Sequence, residues 1–332
     1  MVKGCVRTAL IFLLGCAVPS YGEGAEGVGF RRLELSAPVG GRMDAVAFYP
    51  SREATEINTV GPYDVDARRD APPARGPHPL VVISHGSAGS SLGHHDLATY
   101  LARRGYVVVA PTHPGDNYRD TSGLGALSTI YGRPIQISAA VTAALRDPSL
   151  SVDAKRIAFI GFSAGGQTGL ILAGAKPDFQ RLEAYCTGRP QDRHVCAGGG
   201  AVREDCSLSP QADPRIRAFV LMAPLSVAFS PETLRAVSAP FLLYTGDRDE
   251  ELAPEENILA LSRNLASPHR LRTVPGAGHF TFLAPCSDRL AREEPALCRD
   301  APGIDRKALH LSVNAELAAF LDKELGRDAA SP

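Results

Sequence analysis

The sequence predicts an α/β fold, with a mostly parallel central sheet and helices on both faces. Two observations carry this. Short runs of apolar, often β-branched residues alternate with helix-like segments along most of the chain, as parallel strands joined by helical crossovers do. One such run, Arg156 to Ile160, passes through Gly161-Phe162-Ser163-Ala164-Gly165-Gly166 into Gln167 to Ala173. That is a strand, a tight glycine-rich turn with serine at its apex, and a helix.

The elements follow in order. Phe30 to Ser36 and Arg42 to Tyr49 read as antiparallel strands around the Val39-Gly40-Gly41 turn. Residues 51 to 79, rich in Pro, Gly and charge, read as a long surface loop. Leu80 to Ser84 is a buried strand, His95 to Arg104 a helix, Tyr106 to Ala110 a strand, and Ile135 to Arg146 a helix. Ile157 to Ile160 leads into Ser163. Beyond it come strand Ile216 to Met222, a short helix Pro231 to Val237, strand Phe241 to Thr245, helix Pro254 to Leu265, strand Leu271 to Val274 and a closing helix Ala308 to Leu325. Residues 176 to 214 break the rhythm with three cysteines and Gly198-Gly199-Gly200. A segment that long points to a cysteine-containing, cap-like insertion beside the site. Residues 28 to 326 are otherwise expected to form one domain.

The 332 residues are 44% hydrophobic and 21% charged, with a formal net charge of -1 and no long basic run. This suits a large packed core and argues against nucleic acid as a partner. Lys3 and Arg7 precede an apolar stretch from Thr8 to Val18, and Pro19-Ser20-Tyr21-Gly22 offers a cleavage region. Residues 1 to 22 thus read as a signal peptide, and the protein as periplasmic or secreted. Leu13-Leu14-Gly15-Cys16 gives a second exported reading, a lipobox with Cys16 as the lipid anchor of an outer-membrane lipoprotein. No stretch in the mature chain is long and apolar enough for a transmembrane segment. Export makes disulfides expected. Cys286 and Cys298 bracket one loop and are expected to pair; two of Cys186, Cys196 and Cys206 are expected to pair, which leaves an odd thiol. The ten-residue spacings in that cluster do not match a metal site.

Ser163 at a strained turn is a candidate nucleophile, and a nucleophilic serine needs a base oriented by a carboxylate. Such sites form at the carboxyl ends of parallel strands. Strand Phe241 to Thr245 ends in Gly246-Asp247-Arg248-Asp249, and Leu271 to Val274 ends in Pro275-Gly276-Ala277-Gly278-His279. Of nine histidines, His279 has the right place and the chain order Ser, Asp, His. His85 and His113 precede Ser163, His269 sits at the other end of the sheet, His194 lies in the insertion, and His310 reads as a surface or packing residue of the last helix. Asp249 is the preferred acid for its reach past the strand end, with Asp247 the alternative. Two backbone N–H groups are needed for an oxyanion. Ala164 follows the nucleophile, and Ser87 lies in His85-Gly86-Ser87-Ala88-Gly89 after the first parallel strand. This chemistry calls for no metal and no cofactor.

The combination of Ser84-His85-Gly86-Ser87, Gly161 to Gly166, Gly246-Asp247-Arg248-Asp249 and Gly278-His279-Phe280 resembles the α/β-hydrolase superfamily. Within it, Val28 to Arg31, Tyr49-Pro50, Gly105 to Pro111 and His113-Pro114-Gly115-Asp116 resemble bacterial exported proteins grouped as predicted dienelactone hydrolases and, more distantly, platelet-activating-factor acetylhydrolase. The resemblance spans residues 28 to 325. It implies an α/β-hydrolase fold, Ser163, Asp249 and His279 as a catalytic triad, and the Ser87 and Ala164 amides as an oxyanion hole. Dienelactone hydrolases proper use cysteine where Ser163 stands. The expected activity is hydrolysis of a small-molecule ester or lipid substrate through an acyl-enzyme. Rival readings are a lipase or phospholipase-like acetylhydrolase, a serine peptidase, and an inactive hydrolase-fold binding protein.

Overall fold

A computed structural model describes residues 26–196 and 207–327. The expected signal segment, with Cys16, and Cys206 lie outside the described residues. The central sheet has nine strands: β1 (Gly27–Ala37), β2 (Gly41–Ser51), β5 (Arg68–Arg69), β6 (His78–Ser84), β7 (Val107–Pro111), β8 (Val152–Phe162), β9 (Ile216–Met222), β10 (Phe241–Gly246) and β11 (His269–Val274). Between β2 and β5, β3 (Ile57–Val60) and β4 (Tyr63–Asp66) form a separate hairpin. The spatial order is β11-β10-β9-β8-β6-β7-β2-β1-β5. The six strands from β11 to β7 run parallel, and β2 joins β7 antiparallel.

Side-chain alternation explains the layers. Along β6, Val81 and Ile83 join one core and Leu80 and Val82 the other. The first core is covered by α1 (His95–Arg103) and α8 (Arg306–Glu324), and the second by α2 (Leu127–Arg146), α3 (Ala164–Leu172) and α5 (Ile258–Asn264). Burial on both faces is why these strands read as unbroken apolar runs. Helices therefore flank both faces, as the sequence predicts. Between α3 and β9 lies α4 (Phe179–Gly188), and α6 (Asp288–Glu293) and α7 (Pro295–Cys298) precede α8. Among the described residues no helix is long and apolar enough to cross a membrane.

Four expectations change. The segment read as a surface loop holds the β3–β4 hairpin, closed by Gly61-Pro62 with Gly61 at φ +59. Val60 and Val65 are buried in the first core, anchoring four-residue strands too short and polar to stand out in the sequence. Helix α2 starts at Leu127 and runs through Pro134. Tertiary contacts of the buried Arg133 and Gln136 hold turns that a proline would otherwise end. Residues 231 to 236 form turns, because Ser230 and Thr233 side chains bond the local backbone in competition with helix. Residues 254 to 257 are likewise turns before α5.

Two disulfides are present among the described residues. Cys286 pairs with Cys298 across α6 and α7, as expected, and Cys186 pairs with Cys196. The latter staples α4 and the turns after it into a small cluster with Val195, Val227 and Leu252. Cys286 and Cys298 are 12 residues apart, a closure worth about 3 kcal/mol in the chain-entropy account. The Cys286→Ser/Cys298→Ser pair of changes is therefore expected to lower the unfolding free energy by about that amount. Urea unfolding checks it: a variant as stable as the oxidised parent would show that this link contributes nothing.

Candidate active site

Ser163 stands between β8 and α3 at φ +54, ψ -117, a conformation that costs a residue with a Cβ and is kept only under constraint. The constraint is visible in the neighbouring glycines. A Cβ on Gly161 would lie 2.2 Å from the Gly165 carbonyl oxygen, and one on Gly165 would lie 2.1 Å from that of Ser84. The turn is thus pressed onto the end of β6. The Ser163 amide donates to Met222 O at 3.0 Å and its carbonyl accepts from Leu225 N at 3.0 Å, which ties the turn to the end of β9.

The loops after β10 and β11 meet beside it. His279 Nδ1 donates to Asp249 Oδ2 at 2.8 Å, and both side chains are buried. Asp249 Oδ1 accepts from the Glu251 and Leu252 amides at 3.0 and 2.8 Å, so the carboxylate is fixed on both oxygens. Asp247 turns away: its Oδ1 accepts from Gly276 N at 2.6 Å and braces the two loops against each other. The His279 ring lies 4.8 Å, centroid to centroid, from Phe162, the residue before Ser163. Ser163 Oγ makes no hydrogen bond to His279 or to any other described residue. A contact of this kind is often long before substrate arrives.

A Cβ on Gly86 would lie 3.1 Å from Ser163 Cβ, so the His85–Gly89 loop reaches the serine closely. Neither the Ser87 amide, on the exposed tip of that loop, nor the Ala164 amide, at the first turn of α3, has a hydrogen-bond acceptor among the described residues. Beneath the loop lies a buried polar network that sequence reasoning missed. Arg133 Nη1 donates to Asp116 Oδ2 at 2.7 Å, and Asp116 Oδ1 accepts from Ala88 N at 2.9 Å. His85 donates from Nδ1 to Gly86 O at 2.7 Å and accepts the His113 amide on Nε2 at 3.1 Å. His113 Nδ1 donates to Gln136 Oε1 at 2.6 Å, and its Nε2 accepts from Ser84 Oγ at 2.9 Å. Each ring uses one nitrogen as acceptor, so both are neutral. Burial and the Arg133 cation hold both pKa values well below the usual histidine range. The only sequence signal was the His113-Pro114-Gly115-Asp116 stretch. It marks the place and not the partners.

His310 corrects the expectation of a surface or packing residue. Its Nδ1 lies 2.7 Å from Asp96 Oδ2 and its Nε2 2.8 Å from Thr281 O, both acceptors, so the ring is an imidazolium. It ties α8 to the turn that carries His279. Thr281 Oγ1 accepts from Gly278 N at 3.1 Å and donates to Asp300 Oδ1 at 2.8 Å. Asp300 in turn accepts on both oxygens from the Nε and Nη2 of Arg306. On the other side of the site, His194, in the disulfide-stapled segment, bonds the Glu251 carboxylate. Burial raises the Glu251 pKa against the pull of His194 and His279.

A profile of the alpha/beta hydrolase family matches residues 80–293, well over half of the chain. The chain belongs to that family. A ferulic acid esterase from Streptomyces cinnamoneus superposes with a TM-score of 0.63, covering 96% of this chain and 94% of that one at 21% identity, a likeness of fold. No curated protein sequence matches the chain significantly.

Burial disfavours the charge on His310, but the Asp96 carboxylate outweighs it and raises the pKa; burial raises that of Asp96, and His310 outweighs it and lowers it. His94, His95 and Arg306 also face the pair and oppose the His310 charge or support that of Asp96. The raised histidine stabilises below its unfolded pKa of about 6.5, and this is lost as pH rises through its higher folded value. The lowered aspartate stabilises above about 3.9 and loses this as pH falls through its lower folded value. The stability advantage over His310→Gln should therefore be largest between about pH 4 and 6.5 and shrink above. Denaturant unfolding across pH measures it, and an advantage independent of pH would contradict a charged His310.

Proposed function

We propose that the chain is an exported serine esterase that hydrolyses carboxylic esters through an acyl-enzyme. The buried His279–Asp249 pair carries this reading, because it is brought beside Ser163, whose backbone is forced to positive φ where β8 turns into α3. Ser163 Oγ attacks the ester carbonyl while His279 Nε2 takes its proton. Asp249 keeps the Nδ1–H tautomer and stabilises the imidazolium. The Ser87 and Ala164 amides receive the oxyanion, which their lack of other acceptors supports. His279 then returns the proton to the leaving alcohol, and water, deprotonated by the same base, releases the acid. The substrate is a small-molecule or lipid ester, in keeping with the likeness to exported dienelactone-hydrolase-like proteins. Residues 1 to 22 serve as its signal peptide, or Cys16 as its lipid anchor, and the two disulfides support an extracellular setting.

Ser163→Ala keeps the backbone fold and removes only the hydroxyl, so kcat for p-nitrophenyl acetate should drop about 10⁴-fold or more. Unchanged turnover by the folded variant would sink the assignment. An ester panel graded by acyl length, with aromatic acyl groups included, then defines the substrate.

The two aspartates separate by the same assay. Asp249→Asn should lose roughly 10³ to 10⁴ in kcat, since asparagine favours the wrong tautomer. Asp247→Asn keeps an oxygen for the Gly276 amide and should stay within about tenfold of the parent. The reverse order would make Asp247 the acid and leave Ser163 and His279 standing.

A further inference from the structure

The His85–Gly89 loop has no regular secondary structure, and Ala88 within it sits at φ +53. A non-glycine residue is kept there only when its surroundings over-determine it. One ion pair does so from beneath. Arg133 Nη2 donates to the carbonyl of His85 and, at 3.1 Å, to Ser84 Oγ. Its Nη1 donates to Asp116 Oδ2, whose other oxygen accepts from the Ala88 amide at 2.9 Å. The guanidinium holds the carbonyl that enters Gly86-Ser87, and the carboxylate holds the amide that leaves it. The two side chains are 3% and 4% exposed and come from separate elements, Arg133 from α2 and Asp116 from the loop after β7. A buried ion pair gains little over apolar residues of the same volume. The Arg133 Nε–H also lacks an acceptor among the described residues, a further desolvation cost. Stability alone is a poor reason for such a pair. A fixed direction for the peptide between its two anchors is a better one.

We infer that Arg133 and Asp116 are positioning residues for the oxyanion-binding loop, clamping it so that the Ser87 amide points at the reacting carbonyl oxygen. The inference rests on the esterase reading above and adds the pair on which the second donor depends. Neither residue touches substrate; both act through the loop.

Three variants test it: Arg133→Lys, Asp116→Asn and the charge-neutral Arg133→Met/Asp116→Asn. Lysine cannot reproduce the fork that reaches three acceptors. Asparagine alone keeps an oxygen for Ala88 but leaves the guanidinium uncompensated. The double variant buries no unpaired charge and so guards against simple failure to fold. Esterase kinetics are measured well below the melting temperature on protein counted by the stoichiometry of fluorophosphonate labelling. Phenylboronic acid, which forms a tetrahedral adduct on a nucleophilic serine, serves as the transition-state probe.

The lysine and double variants should lose roughly 10- to 100-fold in kcat, a part of what a complete donor is worth, with KM within about threefold. Boronate affinity should fall by the same factor as kcat/KM. A folded double variant with parental kcat and boronate affinity overturns the clamp and leaves the esterase reading intact. So does a loss of activity that vanishes per labelled serine, which would assign the pair to stability. A parent protein that neither hydrolyses esters nor labels at Ser163 overturns the esterase reading and the inference with it.

Discussion

A limit on how closely backbones can approach governs the carboxyl edge of the sheet. Gly161 and Gly165 leave no room for a Cβ, and one on Gly246 would lie 1.9 Å from the Ala277 carbonyl oxygen. The first contact sets Ser163 above the sheet, the second seats its turn on the end of β6, and the third presses the end of β10 against the loop that carries His279. Each of these is backbone against backbone, so no rotamer change can relieve an added side chain. The strained Ser163 cannot relax while these contacts persist. The position of the loop after β6, and of Asp249 relative to His279, follows from them.

Much of this was legible in the sequence because the signals are local. Strands buried on both faces show as apolar runs, and glycines at tight approaches cannot be replaced by larger residues. Asp249 and His279 were legible as strand-end residues in a fixed order. The polar supports were not, because their partners are far apart in the chain. Arg133 meets Asp116, Ser84 and His85 through tertiary folding alone, and nothing in its helix announces a buried charge. The same holds for the start of α2: a proline is a reliable local stop, and only the contacts of Arg133 and Gln136 overrule it. The β3–β4 hairpin hid for another reason. Its strands are only four residues long and carry most of their polarity outward, leaving Val60 and Val65 as its sole deep anchors.

Histidine shows how far environment overrides residue type. His85 and His113 are buried next to a cation and each must accept a hydrogen bond, so both are neutral. His310 is almost as buried, but it faces a carboxylate and a carbonyl, so it is charged. His279 shares its Nδ1 with a carboxylate and has no partner for its other nitrogen among the described residues, the arrangement that the proposed general base needs. Four rings of one chemical kind thus hold three different roles, and the hydrogen-bond partners alone separate them.

The last helix has a bearing on when the molecule becomes competent. Besides the His310 link to the turn after His279, α8 offers Glu316 to Tyr244 of β10 and Arg272 of β11, and Asp322 to Tyr106 and Arg104. These contacts tie the approach to β7 to the β10–β11 edge of the sheet. A ribosome delivers this stretch after every strand has been made. Until it docks, the turn holding His279 lacks its anchor on one side and the first core has only α1 of its two covering helices. The proposed nucleophile, Ser163, belongs to elements made well before α8, whereas the turn of the proposed base, His279, waits on α8 for part of its support.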